Sequence, residues 1–453
     1  MIQAGGRGWI GRVGELSGPL YQRICAAICE AARTGEISPG HQLPPQRHVA
    51  DLLGCDLTTV TRGYALVRAK GVVEGAVGRG TFVRRPVMEG EGPQMDLSMI
   101  LPPPLAGDLL GRVLREGLDS VLRRRDSSGL MTYHPPGGAP AERRAGAAWF
   151  AGAGAAAPPE RVVVCPGAQS VLSVLIGQLA RDGGELIVAP ETYPGALGLA
   201  RLWGVPVRVC PHDEEGPDLA ALENLLAEGS RRWLYATPTL NNPTAATWGI
   251  ARREGVAELL LRTRSEMIED DPYFRLADSA LPALSDLAPG QVWRVGSLSK
   301  VLSPGLRLAY LLAPDEGRAA SAAADLHLQA QMPCPLTSAL CTQWIADGVA
   351  QKLVDAVAEE AQARRSLCAR VLPQALGPAR TLHLWLPLNE GEDPRAICEA
   401  AGRRGLALAA SDRFQPDGQG PAGLRLALGP ASSRRELADA LGALRAVLAA
   451  DRA

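Results

Sequence analysis

The sequence Val292-Trp293-Arg294-Val295-Gly296-Ser297-Leu298-Ser299-Lys300 joins an apolar run to a Ser-x-Ser-Lys group. The apolar run predicts a buried strand, and a lysine at the end of such a strand is placed to lose its proton and attack a carbonyl. Seven residues on, Arg307 supplies a guanidinium fork that suits a phosphate. Taken alone, a lysine in this position is more often a solvated loop residue. The rest of the chain decides between the two interpretations.

The bulk properties of the chain are those of a globular protein with more than one domain. A chain of 453 residues is too long to fold around one ordinary hydrophobic core, so we expect two or three domains. No stretch is apolar enough to span a membrane, no secretory signal is apparent, and the nine cysteines form no C-x-x-C pairs. The six histidines have no metal-ligand spacing. The sequence therefore predicts a cytoplasmic protein with reduced thiols and without a metal or a membrane contact.

Charge is distributed unevenly along the chain. Residues 1–85 carry 11 basic and 6 acidic side chains, a net +5, whereas the remainder carries 36 and 42, a net −6. A basic N-terminal part on an acidic body favours contact with nucleic acid. So modest an excess is explained nearly as well by a solvated charged face.

The N-terminal part predicts three short helices and a hairpin. Apolar residues recur at helical spacing over 20–31, and further helices open after Pro45 and near Asp56. Strand candidates at 72–74 and 80–83 follow, with a glycine-rich turn between them. Two helices joined by a tight turn and followed by a hairpin form a winged helix-turn-helix, whose third helix enters the DNA major groove.

This part resembles the DNA-binding domain of the GntR family. The resemblance implies that it binds double-stranded promoter DNA. Leu57 is a departure, because the family commonly has an arginine at the start of the recognition helix. The alternative is a small helical interaction module that does not bind DNA. The motifs that carry the resemblance are Pro19-Leu20-Tyr21, Thr58-Thr59-Val60 and Gly78-Arg79-Gly80-Thr81-Phe82-Val83.

The residues expected to touch DNA have suitable chemistry. Arginines pair with phosphates or a guanine edge, threonines donate to phosphates, and glycine lets the wing backbone approach closely. The predicted contacts are Arg47, Thr58, Thr59, Arg62, Arg79 and Gly80.

Composition suggests where the domains meet. The DNA-binding domain is expected at 17–85. Residues 86–104 are rich in Pro and Gly without periodicity, which predicts a partly extended linker. The body then runs over 105–453, with a large part at about 105–325 and a small part at about 326–453.

The body alternates apolar strand patterns with helix patterns. Near-continuous apolar strands in such an alternation predict an α/β fold with a mostly parallel sheet covered on both faces. The helix-rich remainder predicts a smaller α+β domain. Strands are expected at 161–165, 185–189, 206–210, 232–236, 266–269, 291–295 and 307–312, and in the smaller domain at 381–386 and 424–427.

Ligands of such sheets bind at the carboxyl ends of the strands. Gly167-Ala168-Gln169 lies between a strand candidate and a helix candidate. The free N–H groups and the dipole of a helix N-terminus favour a phosphate there.

Three motifs in order make the body resemble the fold-type-I pyridoxal-phosphate enzymes of the aspartate aminotransferase superfamily. They are the Ser-x-Ser-Lys group, Pro304-Gly305-Leu306-Arg307 and Leu424-Arg425-Leu426. The resemblance implies pyridoxal 5'-phosphate as the cofactor, a mostly parallel large domain and a smaller one. It also implies that Lys300 forms the internal aldimine.

The resemblance assigns further residues to the pyridine ring. Tyr193 matches the aromatic residue that stacks on the ring, and Asp270 matches the carboxylate that faces its nitrogen. Asn242 and Tyr273 match the two partners of the phenolic oxygen. A buried anion at the nitrogen keeps the ring protonated, which makes it an electron sink.

The phosphate and the subunit contacts are assigned in the same way. Ala168, Gln169, Ser297, Ser299 and Arg307 match the phosphate-binding set, with Ala168 limited to its backbone because it lacks the family's hydroxyl.

Two residues match positions beyond the cofactor itself. Arg425 matches the arginine that clamps a substrate carboxylate, although a surface arginine beside a strand stays a live alternative. Tyr133 resembles the tyrosine that reaches the phosphate of a neighbouring subunit, which implies a homodimer.

A GntR-type domain fused to an aminotransferase-like domain is the layout of the MocR subfamily of bacterial transcription regulators. The resemblance implies a regulator that senses an amine, an amino acid or pyridoxal phosphate itself through Lys300. The alternative is a working aminotransferase that acts on an amino acid and a 2-oxo acid, with an N-terminal domain of secondary importance. A decayed fold used only for dimerisation is a third option, and the presence of Lys300 and Asp270 argues against it.

Overall fold

The computed structural model describes residues 8–34, 36–37, 41–76, 80–83, 95–124, 126–151, 157–227, 231–277, 281–418 and 420–451. The chain divides into two compact units, Met1–Gly92 and Pro93–Ala453. The predicted DNA contact Arg79 and residues 86–94 of the expected linker lie outside the described residues.

The first unit is a winged helix-turn-helix, as predicted. Gly63 lets two of its helices approach closely, since a Cβ there would lie 3.0 Å from the side chain of Ile24. The hairpin is tied to the preceding chain, where Leu43 N donates to Thr81 O (2.8 Å) and Val83 N to His41 O (2.8 Å). Its elements are α1 (Trp9–Arg12), α2 (Leu20–Arg33), α3 (Gln46–Leu53), α4 (Leu57–Ala69) and the antiparallel pair β1 (Val73–Ala76) and β2 (Gly80–Val83).

The second unit contains a seven-stranded sheet. The predicted strands are all present, with bounds within two residues of those expected, and every pairing is parallel except those of the strand that follows Arg307. The sheet order is β4 (Val162–Cys165), β12 (Ala309–Leu312), β11 (Val292–Ser297), β10 (Glu266–Asp270), β9 (Arg232–Ala236), β5 (Glu185–Val188) and β6 (Val207–Val209).

Helices cover both faces of this sheet. Alternate residues of β4 enter opposite cores, with Val162 and Val164 in one and Val163 and Cys165 in the other. Burial on both faces explains why these strands read as continuous apolar runs. The helices are α5 (Leu109–Arg124), α6 (Ser127–Leu130), α7 (Pro140–Ala151), α8 (Ala168–Arg181), α9 (Pro194–Trp203), α10 (Leu219–Ala227), α11 (Ile250–Thr263), α12 (Leu284–Leu287), α13 (Glu316–Ala330) and α14 (Pro335–Ala346), with a short hairpin of β7 (His212–Asp213) and β8 (Gly216–Pro217).

The small part has a core of its own around an antiparallel sheet of order β13-β16-β15. Its expected start at about 326 is too early, because α13 and α14 pack into the cores of the large part. The change of core occurs within α15, whose Ala361 belongs to the large part and whose Cys368 belongs to the small part. The elements are α15 (Val349–Val371), β13 (His383–Pro387), α16 (Pro394–Gly402), β14 (Leu406–Ala407), β15 (Ala409–Ala410), β16 (Gly423–Ala427) and α17 (Arg434–Asp451).

The last ten residues of the expected linker belong to the body instead. Strand β3 (Met95–Asp96) pairs in parallel with β14, and Leu97 and Ile100 are buried. Apolar side chains that alternate with Pro and Ser gave no periodic signal, but tertiary contacts bury them. Over the part of the chain that the structure describes, no helix combines the length and the apolar character needed to cross a bilayer.

Candidate functional site

The carboxyl ends of four strands, three of them adjacent in the sheet, meet at one cavity. Strand β10 ends at Asp270 and β11 ends at Ser297, three residues before Lys300. The chain segments after β4 and β9 contribute the start of α8 and the loop that holds Asn242. This is the edge at which open α/β sheets bind ligands.

The cavity has a volume of about 230 Å³. It brings together ten of the residues predicted from the sequence. It also includes residues that the sequence analysis missed, among them Met99, Leu101 and Thr237. The ten are Ala168, Gln169, Tyr193, Asn242, Asp270, Tyr273, Ser297, Ser299, Lys300 and Arg307.

Lys300 is half-buried beside two other cations. Burial lowers its pKa to about 8, and the positive charges of Arg425 and Arg307 act in the same direction while Asp270 opposes them. Its Nζ donates to the backbone oxygen of Ile100 at 2.8 Å. At neutral pH Lys300 therefore needs to lose only a weakly held proton to become a nucleophile.

Asp270 has a partner that the sequence analysis did not identify. The hydroxyl of Tyr235 donates to Asp270 Oδ2 at 2.7 Å. Burial raises the pKa of Asp270 to about 6, while the Tyr235 hydrogen bond lowers it and Asp271 raises it further. The available signal was the position of Tyr235 near the carboxyl end of the strand next to β10, where it is paired with Ile268.

The end of the cavity at α8 is rich in free donors. Gly167 precedes α8 with a φ of +93°, and the helix has no side-chain cap on its first N–H groups. A Cβ on Gly167 would come within 2.8 Å of Arg307 Nη2, so glycine leaves room for the guanidinium. Ser297 and Ser299 line the same end. This donor set suits a phosphate.

Tyr193 forms part of the cavity wall next to this end. Its hydroxyl donates to Gln169 Oε1 at 3.2 Å, and Gln169 Nε2 donates to Gly195 O at 3.2 Å. Gln169 therefore fixes the tyrosine ring by its side chain, in addition to its place in the first turn of α8.

Arg425 reaches the site from β16 of the small part. It is 7% exposed, and burial lowers its pKa to about 10. Its Nη1 donates to Asn242 Oδ1 at 2.7 Å, and its Nη2 donates to the backbone oxygen of Ser98. The alternative of a surface arginine is excluded by this burial.

His383 is a second buried residue of the small part that the sequence analysis missed. Its ring lies 5.4 Å from that of Tyr273, and its Nε2 is 2.8 Å from Asn241 O. Burial lowers the pKa of His383 to about 3, so the ring is neutral. The only sequence signal for His383 was its position at the start of an apolar strand.

Tyr133 does not join the cavity of its own chain. Its side chain is 78% exposed.

Of the predicted DNA contacts that the structure describes, Thr58, Thr59 and Arg62 lie on α4, Arg47 lies on α3 and Gly80 begins β2. Arg47, Thr58, Arg62 and Gly80 are exposed and Thr59 is half-buried. The Arg62 guanidinium lies over the ring of Tyr21, 4.0 Å from its centroid. Leu57, the first residue of α4, is 40% exposed.

Each of the two units matches a known protein family. Residues 95–400 match the family described as aminotransferase class I and II. Residues 20–83 match the bacterial regulatory proteins of the gntR family. The chain belongs to the aminotransferase class I and II family, and with its N-terminal gntR-type unit it has the MocR-like architecture of a transcription regulator.

The individual relatives include both transcription regulators and aminotransferases. The chain is 26% identical to the uncharacterized HTH-type transcriptional regulator YdeF of Bacillus subtilis over 90% of this chain and 89% of that one. It is 30% identical to the 2-aminoadipate transaminase of Thermus thermophilus over 72% of this chain and 82% of the relative. The crystal structure of LysN, an α-aminoadipate aminotransferase from the same organism with bound N-(5'-phosphopyridoxyl)-L-leucine, superposes with a TM-score of 0.71 at 25% identity, covering 86% of this chain and 98% of LysN.

Family and site together identify pyridoxal 5'-phosphate as the cofactor. The residues fit it, since the cavity has phosphate donors at one end, a buried carboxylate at Asp270 and an amine at Lys300. The gntR-type unit gives the protein a DNA-binding function.

Proposed function

We propose that this protein is a bacterial transcription regulator that binds promoter DNA through its winged helix and senses an amine, an amino acid or pyridoxal phosphate itself at Lys300. The proposal rests on one observation: an amine and a carboxylate share one cavity, and a buried arginine is bonded to Asn242 in the wall of that cavity, in a chain that also carries a DNA-binding unit. It places the protein in the cytoplasm, where promoters are.

The proposed sensing uses the chemistry of this chain's own residues. When bound, pyridoxal phosphate supplies an aldehyde carbon at which one amine replaces another. Lys300 would be the amine that this chain offers to that carbon, and Arg425 would receive the carboxylate of a ligand. Because Lys300 belongs to the large part and Arg425 to β16 of the small part, such a ligand biases their relative position.

The cofactor assignment is tested by absorbance spectra of the purified protein. A band above 400 nm is expected for the wild type after addition of pyridoxal phosphate and none for Lys300→Ala. A shift of this band on addition of amino acids supports sensing. Identical spectra of the two proteins would remove the cofactor from the proposal.

The DNA assignment is tested by gel shift on the promoter of the protein's own gene. Arg47→Ala with Arg79→Ala should weaken binding to all sequences and reduce the salt slope by about two. Arg370→Ala, an exposed arginine of α15, is the matched control. Unchanged binding by the double variant would count against these contacts. The same assay on single variants would rank the contributions to DNA affinity of Thr58, Thr59, Arg62 and Gly80.

We also propose a homodimer in which Tyr133 reaches the phosphate site of its partner. Tyr133, Met131 and Leu328 are large side chains that are 78%, 74% and 84% exposed. Exposed apolar groups of this size favour association. Light scattering should give a dimer mass, and Tyr133→Phe should weaken cofactor binding without changing that mass.

A second candidate function is an active aminotransferase. It is favoured by the completeness of the cavity and by the relative named 2-aminoadipate transaminase. Steady turnover of an amino acid with a 2-oxo acid would support it. A spectral response without turnover would support the regulator.

A further inference from the structure

The first residues of the body form a short segment that runs directly over the site. We call residues 95–101 the bridging segment. Met95 N donates to Gly405 O and Leu97 N to Ala407 O, each at 2.9 Å, and Ala427 N donates to Leu97 O at 2.8 Å. The segment is thus an added strand on the small part, next to the strand that carries Arg425.

Two carbonyls of this segment bind the two functional cations. Ser98 O accepts from Arg425 Nη2, and Ile100 O accepts from Lys300 Nζ at 2.8 Å. These contacts join residues that are 327 and 200 positions apart in sequence. Met99 between them lines the cavity and is 55% exposed.

A turn at Asp96 holds the first of these carbonyls in place. Asp96 Oδ1 accepts from Ser98 N at 2.8 Å and from Ser98 Oγ at 2.6 Å. The side chain thereby closes the backbone into the conformation that directs Ser98 O to Arg425. Asp96 is a positioning residue because it acts through Ser98.

The same donors are needed by the ligands. A carboxylate held bidentately takes Nη2 of an arginine together with Nη1 or Nε. In Arg425, Nη1 is bonded to Asn242 and Nη2 to Ser98, while the buried Nε has no partner among the described residues. When the Lys300 amine condenses with a carbonyl carbon, hydrogens of Nζ leave with the oxygen as water, so Nζ loses donors that it can offer to Ile100 O.

We propose that the bridging segment is a built-in competitor of the cofactor and the effector, held on Arg425 and Lys300 until they bind and released when they do. The inference rests on the proposed function. In the chain, residues 84–94 follow β2 and lead into the segment, so its release acts on the part of the chain that leads from the DNA-binding unit.

The direct test is hydrogen exchange of the full-length wild-type protein, with pyridoxal phosphate alone and then with added L-leucine as probes. Loading should accelerate exchange of the amides of Leu97 and Ala427, which are bonded between the segment and the small part. Unchanged or slower exchange, with the cofactor band present, overturns this inference and leaves the proposed function intact. Absence of the band removes both.

A pair of variants tests the role of Asp96. Asp96→Ala removes the acceptor that holds the turn, so the affinity for pyridoxal phosphate should rise roughly threefold to tenfold. Its DNA affinity without cofactor should move toward that of the loaded wild type. Asp96→Asn keeps an Oδ1 acceptor, so its affinity for pyridoxal phosphate should stay within about twofold of wild type. The same is expected of Asp439→Asn, a change at an exposed residue of α17. Equal or weaker cofactor binding by Asp96→Ala would show that the segment supports the site and does not compete.

Discussion

The two ends of the cavity are prepared for their ligands in different ways. At the phosphate end, Arg307, the serines and the first turn of α8 all belong to the large part, and the helix N–H groups carry no side-chain cap. The other end, which we call the carboxylate end, is the wall at Asn242, behind which Arg425 of the small part is bonded through its Nη atoms to Asn242 and Ser98.

The difference has a physical consequence. Donors that are fixed and free bind an anion without rearrangement, which favours a permanently held group. A nitrogen that already has an acceptor binds a second oxygen less strongly, because the two oxygens repel each other, so binding there is weaker and is coupled to movement. The phosphate end thus suits a resident cofactor, and the carboxylate end suits a ligand that comes and goes.

The largest expected effect is at the residue between the two ends. Lys300→Ala should abolish covalent attachment of pyridoxal phosphate, because no other amine lies in the described wall of the cavity. Borohydride reduction followed by mass spectrometry should find the cofactor adduct in wild type and in Lys352→Ala, an exposed lysine of α15. An adduct at the cavity of Lys300→Ala would contradict the assignment.

A pair of arginine variants tests whether the two ends differ in this way. Arg307→Ala should weaken binding of pyridoxal phosphate by about 30-fold, from the loss of charge-assisted hydrogen bonds. Arg425→Ala should not lower that affinity, because it leaves the phosphate donors in place and frees the Ser98 carbonyl, but it should abolish the spectral response to amino acids.

Equilibrium titration followed by absorbance measures both affinities. Arg201→Ala, an exposed arginine of α9, is the control. Equal losses of cofactor affinity in both variants would mean that the two ends do not differ as described.

The third prediction concerns pH. The pKa of Asp270 is raised to about 6, chiefly by burial, so the carboxylate is charged above this pH and neutral below it. Affinity for pyridoxal phosphate should fall as pH drops below 6, by up to about tenfold per pH unit.

Asp270→Asn separates this effect from titration of the cofactor's own phosphate, which occurs in both proteins. The difference between the two pH profiles isolates Asp270. Superimposable profiles would contradict its role at the pyridine nitrogen.

The smallest expected effect is that of Tyr235→Phe. Loss of the hydroxyl removes a hydrogen bond that lowers the pKa of Asp270, so the pH profile should move upward and affinity at pH 7 should fall about threefold. Tyr310→Phe is a matched control, since its buried hydroxyl has no partner among the described residues. A profile that does not move would assign the bond a packing role only.

Local patterns were enough to predict most of the fold. The strands around β11 are buried on both faces, so their apolar runs were readable without knowledge of their neighbours. The winged helix was readable because glycines and apolar spacing mark each of its turns. The linker end and the small-part boundary were misplaced, since Leu97 and α14 are assigned to a core only by distant contacts.

The residues of the functional site likewise divide into those that could be predicted from the sequence and those that could not. Residues of the site that follow a strand, such as Asp270 and Lys300, were predictable because the carboxyl ends of parallel strands share one edge. Tyr235 and His383 lie inside strands, where an aromatic residue is most often part of the core.

By itself the sequence determined which chemical groups are present and at which strand ends they stand, because strand and helix periodicity are local properties. Only the tertiary structure decided which of these groups are free and which are already bonded. Ser98 and Ile100 contribute their backbone oxygens, which are common to every residue type, so no side-chain pattern could reveal that they bind Arg425 and Lys300.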